Sequence, residues 1–178
     1  CTWCRRLEQE SFTDPAVAAR LAELVCVSID VEAPENVAIA RRYGVAPLPT
    51  MLFLDGEGAL VDVLVGYLGP EALLAELERV LRGEGTVPAL RRRVREEPER
   101  LEPRFALVRK LSTTRQPDAA AQLAELQRLD GEGRGYDPDS VEDRWRLVQA
   151  WRTLRDEAAA GRHLEAIRRL DPEGRSLA

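Results

Sequence analysis

Lysine, histidine and cysteine are all scarce in this chain. Of its 26 basic residues one is a lysine, Lys110, and the 178 residues include a single histidine and three cysteines. The lysine deficit reads as a coding-composition bias and carries no functional message. Three cysteines do not make the paired framework of a small disulfide-stapled secreted domain. Cys26 and His163 are the cysteine and histidine left beside the clustered Cys1 and Cys4, and they stand at no zinc-ligand spacing, so the reading assigns no metal. His163 itself reads as an ordinary helix-surface or packing residue. No run of arginines is long enough to present a nucleic-acid face, and the formal net charge is −5. No segment approaches the roughly 20 consecutive apolar residues of a membrane span. No signal peptide is legible at the start, which by itself fixes no compartment.

What is present is an ordinary globular composition, 44% hydrophobic, in a length that suits one large or two small domains. The chain opens Cys1-Thr2-Trp3-Cys4. This spacing places two thiols on one face of a helix start. There, unpaired N–H groups and the positive end of the helix dipole stabilise a thiolate. An exposed Cys1 attacks a disulfide and Cys4 resolves the mixed disulfide. Thr2 and Trp3 would tune the redox potential. Cys26 lies in an apolar run and reads as a small buried hydrophobe.

The first half alternates helix and strand. Residues 4–23 carry a helical pattern, kinked at Asp14-Pro15, where Asp caps and Pro begins a new segment. Leu24–Val31 has the β-branched content and length of a strand. Glu35–Tyr43 is a short helix closed by Gly44. Met51–Leu54 and Leu60–Val65 are strands joined through the turn Asp55-Gly56-Glu57-Gly58. Pro70 opens a helix with Leu73, Leu74, Leu77, Val80 and Leu81 on its apolar face.

Gly83-Glu84-Gly85-Thr86 breaks this pattern. Residues 1–83 hold 7 basic and 13 acidic side chains, against 19 and 18 in residues 84–178. The later half is helical throughout, so the domains are expected at 1–83 and 84–178. Arg104–Val108 matches Arg144–Val148, and Leu129–Gly133 matches Leu170–Gly174, about 40 positions apart. Each unit reads as a pair of helices that buries its apolar stripe by stacking on its neighbour. Leu147, Trp151, Ala160, Leu164 and Ile167, with Ala119, Leu123 and Leu126 in the earlier unit, resemble the packing positions of the tetratricopeptide repeat. Val148 stands where that family has glycine. Generic helical hairpins are the alternative.

The order dithiol, helix, strand, helix, Val45-x-x-x-Pro49-Thr50, strand, glycine-containing hairpin, strand, helix resembles the thioredoxin-like superfamily. The continuation Glu10, Phe12, Asp14 and Val17, and the segment Val27–Glu32 with Pro34-Glu35, are similar to its Cys-x-Trp-Cys branch. Phe12 and Val17 read as core residues. The resemblance implies that Leu48-Pro49 is a cis bond facing the dithiol, with Leu48 presenting its backbone to an extended substrate peptide. Pro47 reads as an ordinary loop proline. Trp3 is either a substrate-facing or a packing residue. The candidate site is therefore Cys1 and Cys4 as catalytic residues with Trp3, Leu48 and Pro49 as substrate-binding ones.

In that family a strand runs directly into the dithiol, between the strands matching Leu24–Val31 and Met51–Leu54. The expected fold is thus an α/β thioredoxin-like domain lacking its first strands, followed by an all-α tetratricopeptide-like domain. Truncation at the N-terminus is the favoured reading. An upstream extension of about 20 or more residues, including an apolar strand, is expected to restore the fold. A lipoprotein with an acylated Cys1 is the other reading, and it would abolish the nucleophile. The resemblance implies a thiol–disulfide oxidoreductase with no metal or organic cofactor, acting on protein thiols and disulfides. Its helical half would bind a protein partner, and nucleic acid is not expected. A truncated chain would be a poor catalyst. The alternative is a chaperone-like holder of client proteins with a vestigial redox domain. A reducing role suits the bacterial cytoplasm, and an oxidising or isomerising one the periplasm.

Overall fold

The chain is helical from its second residue. In the computed structural model, which describes residues 1–174 and 176, α1 spans Thr2–Arg6 and runs on into a π-helical turn, Leu7–Ser11. Asp14 then caps α2 (Pro15–Leu21). Its carboxylate accepts from the N–H groups of Ala16 and Val17 at 2.9 and 3.1 Å, and Pro15 occupies the first helical position. The kink read from Asp14-Pro15 is therefore a change of helix at a side-chain cap.

Leu24–Val31 differs from the sequence reading. Among the described residues it pairs with no strand, and Val25 and Val27 are 96% and 74% exposed. β-branched side chains favour extended backbone, but a strand exists only where a neighbour completes its ladder. Cys26, expected in the core, is exposed for the same reason: among the described residues no element covers this stretch.

A 3₁₀ turn (Pro34–Asn36) leads into α3 (Val37–Arg42). Gly44 follows with φ +61°, the left-handed conformation that ends a helix at little cost when no Cβ is present. β1 (Thr50–Leu54) and β2 (Leu60–Val65) pair antiparallel, with Thr50 opposite Val65 and Leu52 opposite Val63. Asp55 sets their turn by accepting from the N–H groups of Glu57 and Ala59. Met51, Phe53 and Leu64 face a core that also holds Leu7, Val17, Leu73 and Leu77, with Phe12 packed against it. Each fully buried Leu or Val there contributes about 1.5–3 kcal/mol.

α4 (Pro70–Leu81) supplies Leu73, Leu77 and Val80, spaced by one helical turn and buried. Leu81 lies four residues after Leu77 on the same side of the helix, but as the last residue of α4 it is 40% exposed.

The remaining helices are α5 (Val87–Glu96), α6 (Leu101–Thr113), α7 (Ala119–Gly131), α8 (Val141–Thr153) and α9 (Glu157–Leu170). Two compact units result: Cys1–Arg92 with Lys110–Pro117, and Arg93–Arg109 with the residues from Asp118 on. The second has its own core, in which Leu126, Leu147, Trp151, Ala160 and Ile167 are buried together and Leu123 and Leu164 pack against them. Phe105 meets Trp151 edge-to-face at 4.8 Å. Ser140 and Asp156 cap α8 and α9 with their side chains. Of the surface and packing readings of His163, the packing one holds, with a polar partner added. It is buried, with Nε2 2.8 Å from the Asp130 carboxylate.

Candidate redox site

Cys1 is the N-cap of α1, and its sulfur accepts from the backbone N–H of Cys4 at 3.3 Å. This contact needs the one-turn separation that two intervening residues give, and it brings the two sulfurs together. Cys1 and Cys4 are joined as a disulfide, with their Cα atoms 5.3 Å apart. Cys1 is exposed and Cys4 half-buried, so of the two sulfurs that of Cys1 belongs to the more open residue.

The loop before β1 comes to the same place. The carbonyl oxygen of Leu48 lies 3.9 Å from Cys1 Sγ, and the Leu48–Pro49 peptide is cis. Two hydrogen bonds fix that loop. Thr50 Oγ1 donates to the Pro47 carbonyl at 2.6 Å, and the Gly66 N–H donates to the Pro49 carbonyl at 2.8 Å. Leu48 is 39% exposed. The next residue after Gly66, Tyr67, brings its ring to 5.8 Å from that of Trp3, which is 53% exposed. Cys1, Cys4, Trp3, Leu48 and Pro49 therefore lie in one neighbourhood.

Sequence reasoning missed Arg6 and Tyr67, and gave Glu10 no chemical part. Arg6 Nε donates to both Glu10 oxygens at 2.8 and 3.0 Å, and Tyr67 Oη donates to Glu10 Oε2 at 2.5 Å. The Arg6 guanidinium lies 4.6 Å from the Tyr67 ring centre and 5.8 Å from that of Trp3. The Arg6 hydrogen bond, and then that of Tyr67, hold the Glu10 carboxyl below its ordinary range. Its bond to Glu10 in turn pushes the Tyr67 phenol up. The Arg6–Glu10 spacing of four was a legible helix pair. Nothing local to Tyr67 announces its partner 57 residues away. Ser11 is a second such link, with its buried hydroxyl donating to the Leu68 carbonyl at 2.6 Å.

Among the described residues, no group of three or more His, Cys, Asp or Glu side chains could hold a metal ion, and no helix is long and apolar enough to cross a membrane.

Residues 1–81 match the family model of the thioredoxin-like domain. The chain carries a thioredoxin-like domain followed by a largely helical region. Over 84 residues it is 36% identical to the thiol:disulfide interchange protein DsbD of Haemophilus ducreyi, an alignment covering 45% of this chain and 15% of that protein. The DsbD of Ralstonia nicotianae is 34% identical over 84 residues, covering 46% of this chain and 14% of that protein. That of Escherichia coli K12 is 38% identical over 60 residues, covering 33% and 11%. The chain thus spans about a seventh of the length of the first two relatives. No solved structure matches it.

Proposed function

We propose that this chain is a thiol–disulfide oxidoreductase working through Cys1 and Cys4. The observation that carries the reading is the Cys1–Cys4 disulfide at an exposed helix start. The thioredoxin-like match and the bacterial interchange proteins support the same chemistry. In the oxidising direction a client thiolate attacks Cys1 Sγ, the Cys1–Cys4 bond breaks, and Cys4 leaves as a thiolate held at the helix start. A second client thiolate then attacks the client sulfur of the mixed disulfide and releases Cys1. Two electrons have passed from the client dithiol to the chain, and the reverse sequence reduces a client disulfide. Cys1 is thus the nucleophile of the reducing direction and Cys4 the resolving thiol. The exposed Trp3 and Leu48 form the client-facing rim, with the buried Pro49 beneath Leu48 and the Leu48 carbonyl 3.9 Å from Cys1 Sγ.

In this reading residues 1–83 are the redox half and residues 84–178 a tetratricopeptide-like half that binds a protein partner. Its support is the matched pairs Arg104–Val108 with Arg144–Val148, and the shared core of Leu126, Leu147, Trp151, Ala160 and Ile167. A cleft of about 390 Å³ lined by Phe105, Tyr136, Leu147 and Ala150 offers such a partner a seat. Bacterial relatives point to a bacterial setting, with the compartment following the direction of electron flow.

The test is reduction of insulin disulfides by the protein with dithiothreitol as electron source. The parent should accelerate precipitation of the insulin B chain, and Cys1→Ser should abolish the acceleration. A parent without reductase activity that nevertheless keeps an unfolded client soluble, with Cys1→Ser doing so equally well, would establish the holder reading instead.

A further inference from the structure

The four side chains Trp3, Arg6, Glu10 and Tyr67 form a closed set beside the disulfide. Glu10 accepts from Arg6 and Tyr67 at once, so a single carboxylate fixes a guanidinium one helical turn away and a phenol 57 residues further along the chain. The fixed guanidinium lies near both aromatic rings, 4.6 Å from Tyr67 and 5.8 Å from Trp3. Trp3 stands between the two cysteines in sequence, yet about half of its surface is open. An exposed indole is a free rotor in the absence of neighbours, and ordering it for binding costs entropy. Here that ordering is done in advance, by a cation–π contact and a tilted ring pair. Arg6 and Glu10 are both exposed but neutralise each other, so the set places an ion pair without net charge beside the open face of the Trp3 indole. Leu48, also exposed and with its carbonyl beside Cys1, extends that face.

We propose that Arg6, Glu10 and Tyr67 are positioning residues that hold the Trp3 indole as a stacking platform, and that the platform selects client segments with an uncharged aromatic residue next to the reacting cysteine. This rests on the oxidoreductase reading and adds a client class to it. The positioning residues touch neither sulfur nor client. They act through Trp3.

Two dithiol peptides, alike except for Phe or Gly after the first cysteine, distinguish the outcomes. Each is mixed with the disulfide form of the protein in a single turnover, and dithiothreitol serves as a side-chain-free dithiol. The electrons come from the peptide or the dithiothreitol, so no further reagent is needed. The Phe peptide should react about three- to tenfold faster than the Gly peptide below saturation, the range an aromatic pair supplies. The gain should lie in the half-saturating concentration and leave the limiting rate alone. Trp3→Ala should remove the preference. Arg6→Ala and Glu10→Ala should each reduce it toward unity, with rates normalised to the same variant's dithiothreitol rate. Tyr67→Phe keeps the ring and should lose the preference only in part, which separates loss of the Glu10 bond from loss of packing.

A parent that exchanges with dithiothreitol but treats the two peptides alike overturns the platform and leaves the oxidoreductase reading standing. So do Arg6, Glu10 and Tyr67 variants that keep the full preference. A parent that exchanges with neither peptide nor dithiothreitol overturns both.

Discussion

The side chains of Asp62 on β2 and Lys110 on α6 form a buried ion pair, with Asp62 fully enclosed. Arg79 completes it from α4, its guanidinium 2.8 Å from the other Asp62 oxygen, and the Val63 N–H donates to the carboxylate at 2.7 Å. A carboxylate taken out of water needs this much compensation. The chain's single lysine is therefore the counter-ion of a core acid, and α6 is tied through it to the strand.

Removing one partner leaves the other charged and buried. Asp62→Leu strands the Lys110 ammonium and should destabilise the protein by about 3–5 kcal/mol. Lys110→Met should cost less, about 1–3 kcal/mol, because Arg79 and the Val63 N–H still hold Asp62. The double variant should recover much of that loss, because no buried charge is stranded opposite an apolar group. Arg79 retains Glu76 at 2.8 Å and the Glu84 carbonyl. Urea unfolding of the four proteins as a double-mutant cycle measures the coupling. Strict additivity would show that the two residues do not act as a pair.

The pH dependence of the Glu10 cluster has a definite sign. Glu10 is held below the usual carboxylate range by its hydrogen bond from Arg6 and then by that from Tyr67. A group with a depressed native pKa contributes stability that is fully present above its unfolded pKa. That contribution is lost as pH falls through the native value. The Trp3 contribution to fluorescence, taken as the difference between parent and Trp3→Phe, should be constant at neutral pH. It should change only below the ordinary carboxylate range, as Arg6 is released. In the alkaline direction, Tyr67 should ionise above an ordinary phenol, and Glu10→Gln should bring it down, read by absorbance at the tyrosinate band. A Trp3 signal that titrates in the normal glutamate range would contradict the arrangement.

Much of this was legible in the sequence, for identifiable reasons. Local rules held where the partner lies within a few residues: the Asp14 cap, the Asp55 turn and the Leu73–Leu77–Val80 face all depend on short spacings. The dithiol was legible as a spacing and as chemistry. Leu24–Val31 was misread because β-branched content reports a preference for extended backbone, whereas a strand requires a neighbour that the segment itself does not encode. Lys110 as partner of Asp62, Tyr67 as partner of Glu10 and Asp130 as partner of His163 were invisible for a related reason. Each bond spans more than 30 residues, and a buried acid in a strand looks like a polar residue on its solvent face until the fold closes over it.

Gly44 combines a local requirement with a distant one. Its φ is +61°, and a Cβ there would come within 2.8 Å of the Thr114 carbonyl carbon and of Arg115 Cγ. The first restriction follows from the helix end and was readable from sequence. The second arises only because the segment after α6 passes against it. Gly44→Ala should therefore cost more than the roughly 1 kcal/mol of a left-handed alanine alone, since backbone cannot yield as a flexible side chain can. A thermal midpoint unchanged in Gly44→Ala would argue against that close approach.

The tautomer of His163 is fixed by what its neighbours are able to do. Arg144 lies 3.4 Å from Nδ1, and a guanidinium can only donate. Asp130 lies 2.8 Å from Nε2, and an ionised carboxylate can only accept. The neutral ring that satisfies both carries its proton on Nε2 and leaves Nδ1 as the acceptor. Tyr136 closes the site edge-to-face at 5.6 Å, and Arg162 reaches the second Asp130 oxygen at 3.5 Å. Nitrogen-15 chemical shifts at neutral pH should place the proton on Nε2 in the parent. Asp130→Ala should strand that buried N–H at a cost of about 1–3 kcal/mol. Arg144→Met should leave the Nε2 proton in place, because the carboxylate alone still demands a donor. An Nδ1-protonated ring in the parent would mean that Arg144 does not face it, and the helix-to-helix bridge from α7 through His163 to α8 would then have to be withdrawn.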